Sequence, residues 1–153
     1  MLRTRVLVVV AALGLVSPVF ATECPPTIKA AIEKAHPGPK NLACKEEKEE
    51  GKLQYEVKIT GKDGKEMELD VSPEGKILLT EEQVALDRVP AAVTKSLMAK
   101  YHDAKATAAE KQTNAGGKVA YEIAFESGKE KKEATFTADG TLVEEEEEEE
   151  GNE

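Results

Sequence analysis

The stretch GKLQYEVKI, Gly51–Ile59, returns as GKVAYEIAF at Gly117–Phe125. The correspondence runs on in both directions. Upstream, Pro25, Ile28, Ile32 and His36 align with Pro90, Val93, Leu97 and Tyr101; downstream, Glu74, Gly75 and Ile77 align with Asp139, Gly140 and Leu142. One residue is gained within NAGGK (Asn114–Lys118) and one is lost in the turn that follows. Matches over this length, with so few gaps, read as an internal duplication, and a repeat sets the unit from which the fold is built. A unit of roughly 60 residues buries only about 60% of its unfolded surface and is marginal alone. The two copies are therefore expected to extend one sheet or to cover one another's edges.

Each copy shows the same periodicities. Ile28, Ala31, Ile32 and Ala35 make one apolar stripe at helical spacing, matched by Val93, Leu97 and Tyr101. Pro25, Pro26 and Pro90 stand where a helix begins, since a missing N–H costs nothing there, and His36-Pro37-Gly38 ends the first helix. Strict alternation follows: Leu53, Tyr55, Val57 and Ile59 against Gln54, Glu56, Lys58 and Thr60, then Met67, Leu69 and Val71 against Glu66, Glu68 and Asp70. Period two with one polar side predicts half-buried antiparallel strands. Gly61–Lys65 (GKDGK) reads as their hairpin turn. Short strands are expected at Lys76–Leu79 and Thr141–Val143, and weaker ones near Leu42–Glu46 and Thr107–Lys111, with TEEQVALDR (Thr80–Arg88) as a linker. The fold class expected is α+β: two tandem repeats, each one helix followed by three or four antiparallel strands.

The order of a proline-led helix (VPAAVTKSLMAKYHDAK), a Tyr-Glu-Val/Ile strand and a turn with Asp-Gly or Glu-Gly (TFTADGTLVEEE) resembles the PepSY-like family of small exported proteins. That family is related in fold to the tandem-repeat β-lactamase inhibitory protein. The resemblance spans Cys24 to Val143. It implies helices packed on one sheet face, no catalytic residues, and a binding or inhibitory role outside the cytoplasm.

The ends of the chain read differently from its body. Arg3 and Arg5, an apolar run over Val6–Val16, and Val19-Phe20-Ala21 form the three-part pattern of a secretory signal peptide. The run is too short for a membrane span of about 20 residues, and no later stretch is long and apolar enough. The expected divisions are a signal peptide at 1–21, a first repeat at 22–83, a second at 84–143, and a disordered acidic tail at 144–153. Secreted or periplasmic localisation follows. Net charge is −9, and the acids Glu144–Glu150 and Glu153 fall in that tail, so the body is close to balanced. Such a surface does not suit nucleic acid. Two cysteines, Cys24 and Cys44, remain after cleavage, and in an exported chain they are expected to pair. The copy-two positions hold Val89 and Ala109.

Motifs for catalysis, nucleotides or metals (HExxH, CxxC, GxSxG, GxGxxG) do not occur. His36 and His102 stand at helix ends, where an imidazolium complements the dipole. The reading is a non-catalytic protein without cofactor or metal. Its candidate binding residues are Glu56, Lys58, Glu68, Asp70, Glu122 and Glu126, which alternation turns onto the open, wet face of the sheet. That face lacks the Trp, Tyr and Arg that dominate tight interfaces, so its acidity is what a partner meets first. The expected partner is an exported protein or peptide of basic character, with inhibition of it one outcome. The alternative is weak capture or sensing of divalent cations through the acidic face and tail.

Overall fold

The computed structural model describes residues 23–49 and 51–147; the expected signal peptide and the end of the acidic tail lie outside them. The elements run α1 (Pro26–Ala35), β1 (Lys40–Glu49), β2 (Lys52–Thr60), β3 (Glu66–Val71), β4 (Ile77–Gln83), a 3-10 turn (Leu86–Arg88), α2 (Ala91–Lys100), β5 (Lys105–Asn114), β6 (Val119–Ser127), β7 (Glu130–Thr137) and β8 (Leu142–Glu147).

The expected α+β fold of two tandem repeats, each a helix with its own strands, is corrected by the sheet. The eight strands form one antiparallel sheet, hydrogen-bonded in chain order from β1 to β8, and the helices are only ten residues each. The described residues are mostly β. Two misread stretches account for the difference. Thr80–Gln83, expected as linker, is the second half of β4, where Thr80, Glu81 and Glu82 face Leu69, Glu68 and Met67 of β3. Glu144–Glu147, expected as tail, lies in β8, where Glu144, Glu145 and Glu146 face Thr135, Ala134 and Glu133 of β7. Ladder pairing to a well-formed neighbour overrides weak strand propensity. The same holds for β1 and β5, each ten residues long and far longer than their few apolar residues indicate.

Cα packing divides the chain into two units. In one, residues 23–83 with 113–118, Ile28 and Ile32 of α1 are fully buried against Val57 and Ile59 of β2 and Leu69 and Val71 of β3. Tyr55 and Met67 pack half-buried around them. The Cys24–Cys44 disulfide joins the start of α1 to β1, with Cα atoms 5.2 Å apart and a sequence separation of 20. The GKDGK turn closes through Gly61 N–H to the Lys65 carbonyl (2.8 Å), with Gly64 at φ 82°. In the other unit, residues 84–112 and 119–147, Val93 and Leu97 of α2 pack over Ile123, Phe125, Ala134 and Phe136. Tyr121 and Tyr101 flank them, the Tyr101 ring 4.6 Å from that of Phe125.

One glycine sets how closely α2 approaches its sheet. Gly140 sits in the β7–β8 turn at φ 87°, and a Cβ there would lie 2.6 Å from the Ala92 carbonyl oxygen. Gly117 also has positive φ, at 75°, but faces open space. Gly140→Ala is expected to cost roughly 3 kcal/mol, and Gly117→Ala about 1 kcal/mol, as read from urea unfolding midpoints. Replacing Cys24 and Cys44 together by Ala is expected to cost about 3 kcal/mol in the same measurement, the loop-closure entropy of a bridge of this span.

Candidate binding surface

The alternation that sends Tyr55, Val57 and Ile59 under α1 sends Gln54, Glu56 and Lys58 to the opposite face of the sheet. Register then builds rows of side chains across the strands. Lys45, Glu56 and Asp70 form one row, and Ala43, Lys58, Glu68 and Glu81 the next. Lys58 Nζ lies 3.1 Å from Glu68 Oε2 and 3.5 Å from Glu56 Oε1, and Lys45 Nζ lies 3.4 Å from Glu56 Oε2. Gln54 Nε2 donates to Glu47 Oε1 at 2.8 Å. Burial by itself would lower the Lys58 pKa; the Glu68 and Glu56 carboxylates more than offset it and hold the ammonium above its ordinary value.

This face is less wet than alternation alone implies. The Glu56 side chain is 14% exposed, and Gln54, Asp70 and Glu81 are buried. Polar side chains on adjacent strands cover one another along each row. Glu56 and Glu68 therefore sit beside ammonium groups rather than as bare carboxylates.

In the second unit the outer face has a different balance. Glu122 on β6 faces Thr135 on β7, which faces Glu144 on β8. Gln112 Nε2 donates to Glu122 Oε2 at 2.9 Å, and Thr135 Oγ1 lies 3.5 Å from the same oxygen. One step along, Ala124 faces Glu133, which is buried and faces Glu146. Glu122, Glu133, Glu144 and Glu146 thus line one shallow cleft with Gln112 and Thr135. Glu126 stands beyond it, exposed and opposite Lys131. Glu145 points the other way, its carboxylate held by Lys100 Nζ and the Tyr101 hydroxyl of the α2 end.

Of the residues chosen from sequence, Glu56, Lys58 and Glu68 are brought into direct contact, and Asp70 faces Glu56 in register. Glu122 and Glu126 belong to the other unit. Sequence reasoning missed Lys45, Gln112, Glu144 and Glu146 as face residues. Alternation alone would have turned the last two inward with Leu142, which faces Phe136; the register shift between Leu142 and Glu144 brings them to the side of Thr135 and Glu133. His102 Nδ1 lies 3.1 Å from the Met98 carbonyl oxygen, closing the α2 end. Among the described residues, no cluster of three or more His, Cys, Asp or Glu is arranged to hold a metal ion. No described helix is long and apolar enough to cross a membrane.

No family model matches the sequence, and no curated protein does. Solved structures do share the fold. A DUF2874 family protein from Bacteroides uniformis aligns over 85% of this chain and 94% of its own, with TM-score 0.71 and 15% identity. A BLIP-like protein from Bacteroides fragilis aligns over 86% and 92%, with TM-score 0.64 and 22% identity. A Bacteroides eggerthii protein, described provisionally as periplasmic, aligns over 82% and 90%, with TM-score 0.70 and 17% identity. At these identities it is the fold that is shared. The family-level resemblance holds as a fold in common with BLIP-like and DUF2874 proteins, without a family model that carries it to PepSY itself.

The Lys58 cluster sets an alkaline limit. A folded pKa raised above the unfolded value of about 10.4 gives stability that is complete below about pH 10 and is lost as pH rises through the folded value. Lys58→Met is expected to destabilise by about 1 kcal/mol at neutral pH, since the pair is partly solvent-screened, and to flatten stability against pH above about pH 10. Thermal melts across that range provide the check.

Proposed function

We propose that the mature chain is an exported, non-catalytic binding protein that docks a basic exported protein or peptide on the outer face of its sheet. The observation that carries the reading is the placement of Glu122, Glu133, Glu144 and Glu146 around one cleft on that face. In the other unit, Lys45 and Lys58 stand among the acids. The leader sequence and the Cys24–Cys44 bridge support export into an oxidising compartment, as does a fold shared with a protein described provisionally as periplasmic. A fold shared with a BLIP-like protein supports recognition of a protein rather than a small molecule. On this reading the chain is a divergent relative of the PepSY-like family, and inhibition is one consequence that binding would have.

Carboxylates on a surface attract a basic partner over about 8 Å at physiological salt, and they act mainly on the rate of encounter. The test is to capture partners of the mature chain from an envelope extract and identify them. Association rates are then measured against salt for the wild type and for Glu122→Lys/Glu144→Lys. The expected outcome is a wild-type rate that falls steeply with salt and a reversal variant slowed about tenfold or more at low salt, with unchanged unfolding. A rate indifferent to both salt and charge reversal would show that the acidic face is only solvated.

A further inference from the structure

The chain contains two Asp-Gly steps, Asp63-Gly64 between β2 and β3 and Asp139-Gly140 between β7 and β8. Such a step holds the parts of a ring closure. The glycine main-chain nitrogen attacks the aspartyl Cγ and an N–Cγ bond forms. The hydroxyl of the protonated carboxyl leaves with the amide proton as water. Water then reopens the cyclic imide at either carbonyl. Breaking the new bond restores aspartate; breaking the original peptide bond leaves the main chain running through the β-carboxyl, as isoaspartate. One water leaves and one returns, so no other reactant is needed. Glycine favours the step because it has no Cβ to hinder the approach, and the rate depends on how readily the turn reaches the attacking geometry.

The two turns differ in that respect. Asp139 Oδ1 accepts from Thr137 Oγ1 at 2.5 Å and from the Thr141 N–H at 3.0 Å. The Thr137 hydroxyl, with the Thr141 N–H behind it, holds this carboxyl below its ordinary pKa and so in the ionised form that cannot shed hydroxide. Gly140 has no room to swing: a Cβ on it would meet the Ala92 carbonyl oxygen at 2.6 Å and Ser96 Oγ at 2.7 Å. The Asp63 side chain is 59% exposed, and its contact with Lys65 Nζ, at 3.7 Å, is a solvated pair that contributes little. Its Oδ1 accepts the Lys65 N–H at 3.2 Å, and a Cβ on Gly64 would meet nothing within 4 Å. The glycine N–H is bonded in both turns, Gly64 to the Gly61 carbonyl at 3.0 Å and Gly140 to the Thr137 carbonyl at 2.8 Å. The carboxylate and the space around the glycine are what separate them. We propose that Asp63 is a site of spontaneous isomerisation to isoaspartate and that the fold shields Asp139 from the same reaction. The inference is independent of what the outer face binds. Isoaspartate lengthens the main chain by one atom inside the turn that Gly61 N–H and the Lys65 carbonyl close. Thr60 with Glu66 is the first pair behind that turn, then Ile59 with Met67, then Lys58 with Glu68. The change therefore frays the β2–β3 ladder from the end nearest the Lys58–Glu68 ion pair.

The experiment incubates the mature full-length chain, warm and at neutral pH for several weeks, both folded and in concentrated urea. Isoaspartate is counted with an isoaspartyl methyltransferase and labelled S-adenosylmethionine. It is then located by digestion and mass spectrometry of the two turn peptides. In the folded protein it is expected to form at Asp63 about tenfold or more faster than at Asp139, the factor that one hydrogen bond to a charged group is worth. In urea the two rates should converge, since the Asp-Gly step is the same. Thr137→Val should raise the rate at Asp139 and leave that at Asp63 unchanged. In the isomerised fraction the main-chain amides of Ile59, Thr60 and Met67 should exchange hydrogen faster than in the fresh protein. Equal rates at the two sites in the folded protein, or a faster rate at Asp139, would overturn the proposal. So would a folded Asp63 that stays intact while the unfolded chain isomerises. Unchanged hydrogen exchange in the isomerised fraction would overturn the fraying of the ladder.

Discussion

Burial of one face of an antiparallel ladder is the constraint on which the rest of this structure depends. Val57, Ile59, Leu69 and Val71 are fully or almost fully buried beneath Ile28 and Ile32 of α1. Their register fixes every polar side chain on the opposite face, because the side-chain period of a strand is two. A slip of one residue between β2 and β3 would carry Glu56 and Lys58 under α1 and leave Val57 in water. The ion pairs of Lys58 with Glu56 and Glu68 are therefore consequences of apolar packing on the far side. They do not organise the sheet.

The same logic explains which parts of the fold could be read from the chain. Where apolar and polar residues alternate strongly, as at Leu53–Ile59 and Val119–Phe125, the pattern names the element and the buried side; Tyr55 and Tyr121 do pack against the two cores. Where alternation is weak, it fails. Thr80–Gln83 and Glu144–Glu147 have little intrinsic preference for a strand, and their conformation is imposed by β3 and β7. Those two misreadings bear on the fold class, because strand residues of the sheet were taken for a linker and a tail. A single sequence carries no signal for a strand that exists because its neighbour does.

The candidate surface was legible in its charges but not in their compensation. Glu56, Glu68 and Glu122 were found by alternation, yet the difference between them comes from cross-strand neighbours that sequence spacing does not specify. Lys45 lies beside Glu56 only because β1 pairs with β2 in this register. Gln112 reaches Glu122 from a strand ten positions earlier. The charges of each face are thus legible from alternation, whereas their partners across the strands are not.

The disulfide couples this architecture to the place where it folds. Cys24 stands at the threshold of α1 and Cys44 in β1, so the bridge pins the helix to the sheet beside Ile28 and Val57. In a reducing compartment the two thiols stay apart as separate small apolar groups. There the first helix must hold its place by the contacts of two isoleucines, and the unfolded chain keeps the freedom that the bridge removes. A chain of this design is looser with the two thiols reduced than with the bridge closed. The redox state of its surroundings thus acts first on how firmly α1 is held to the sheet.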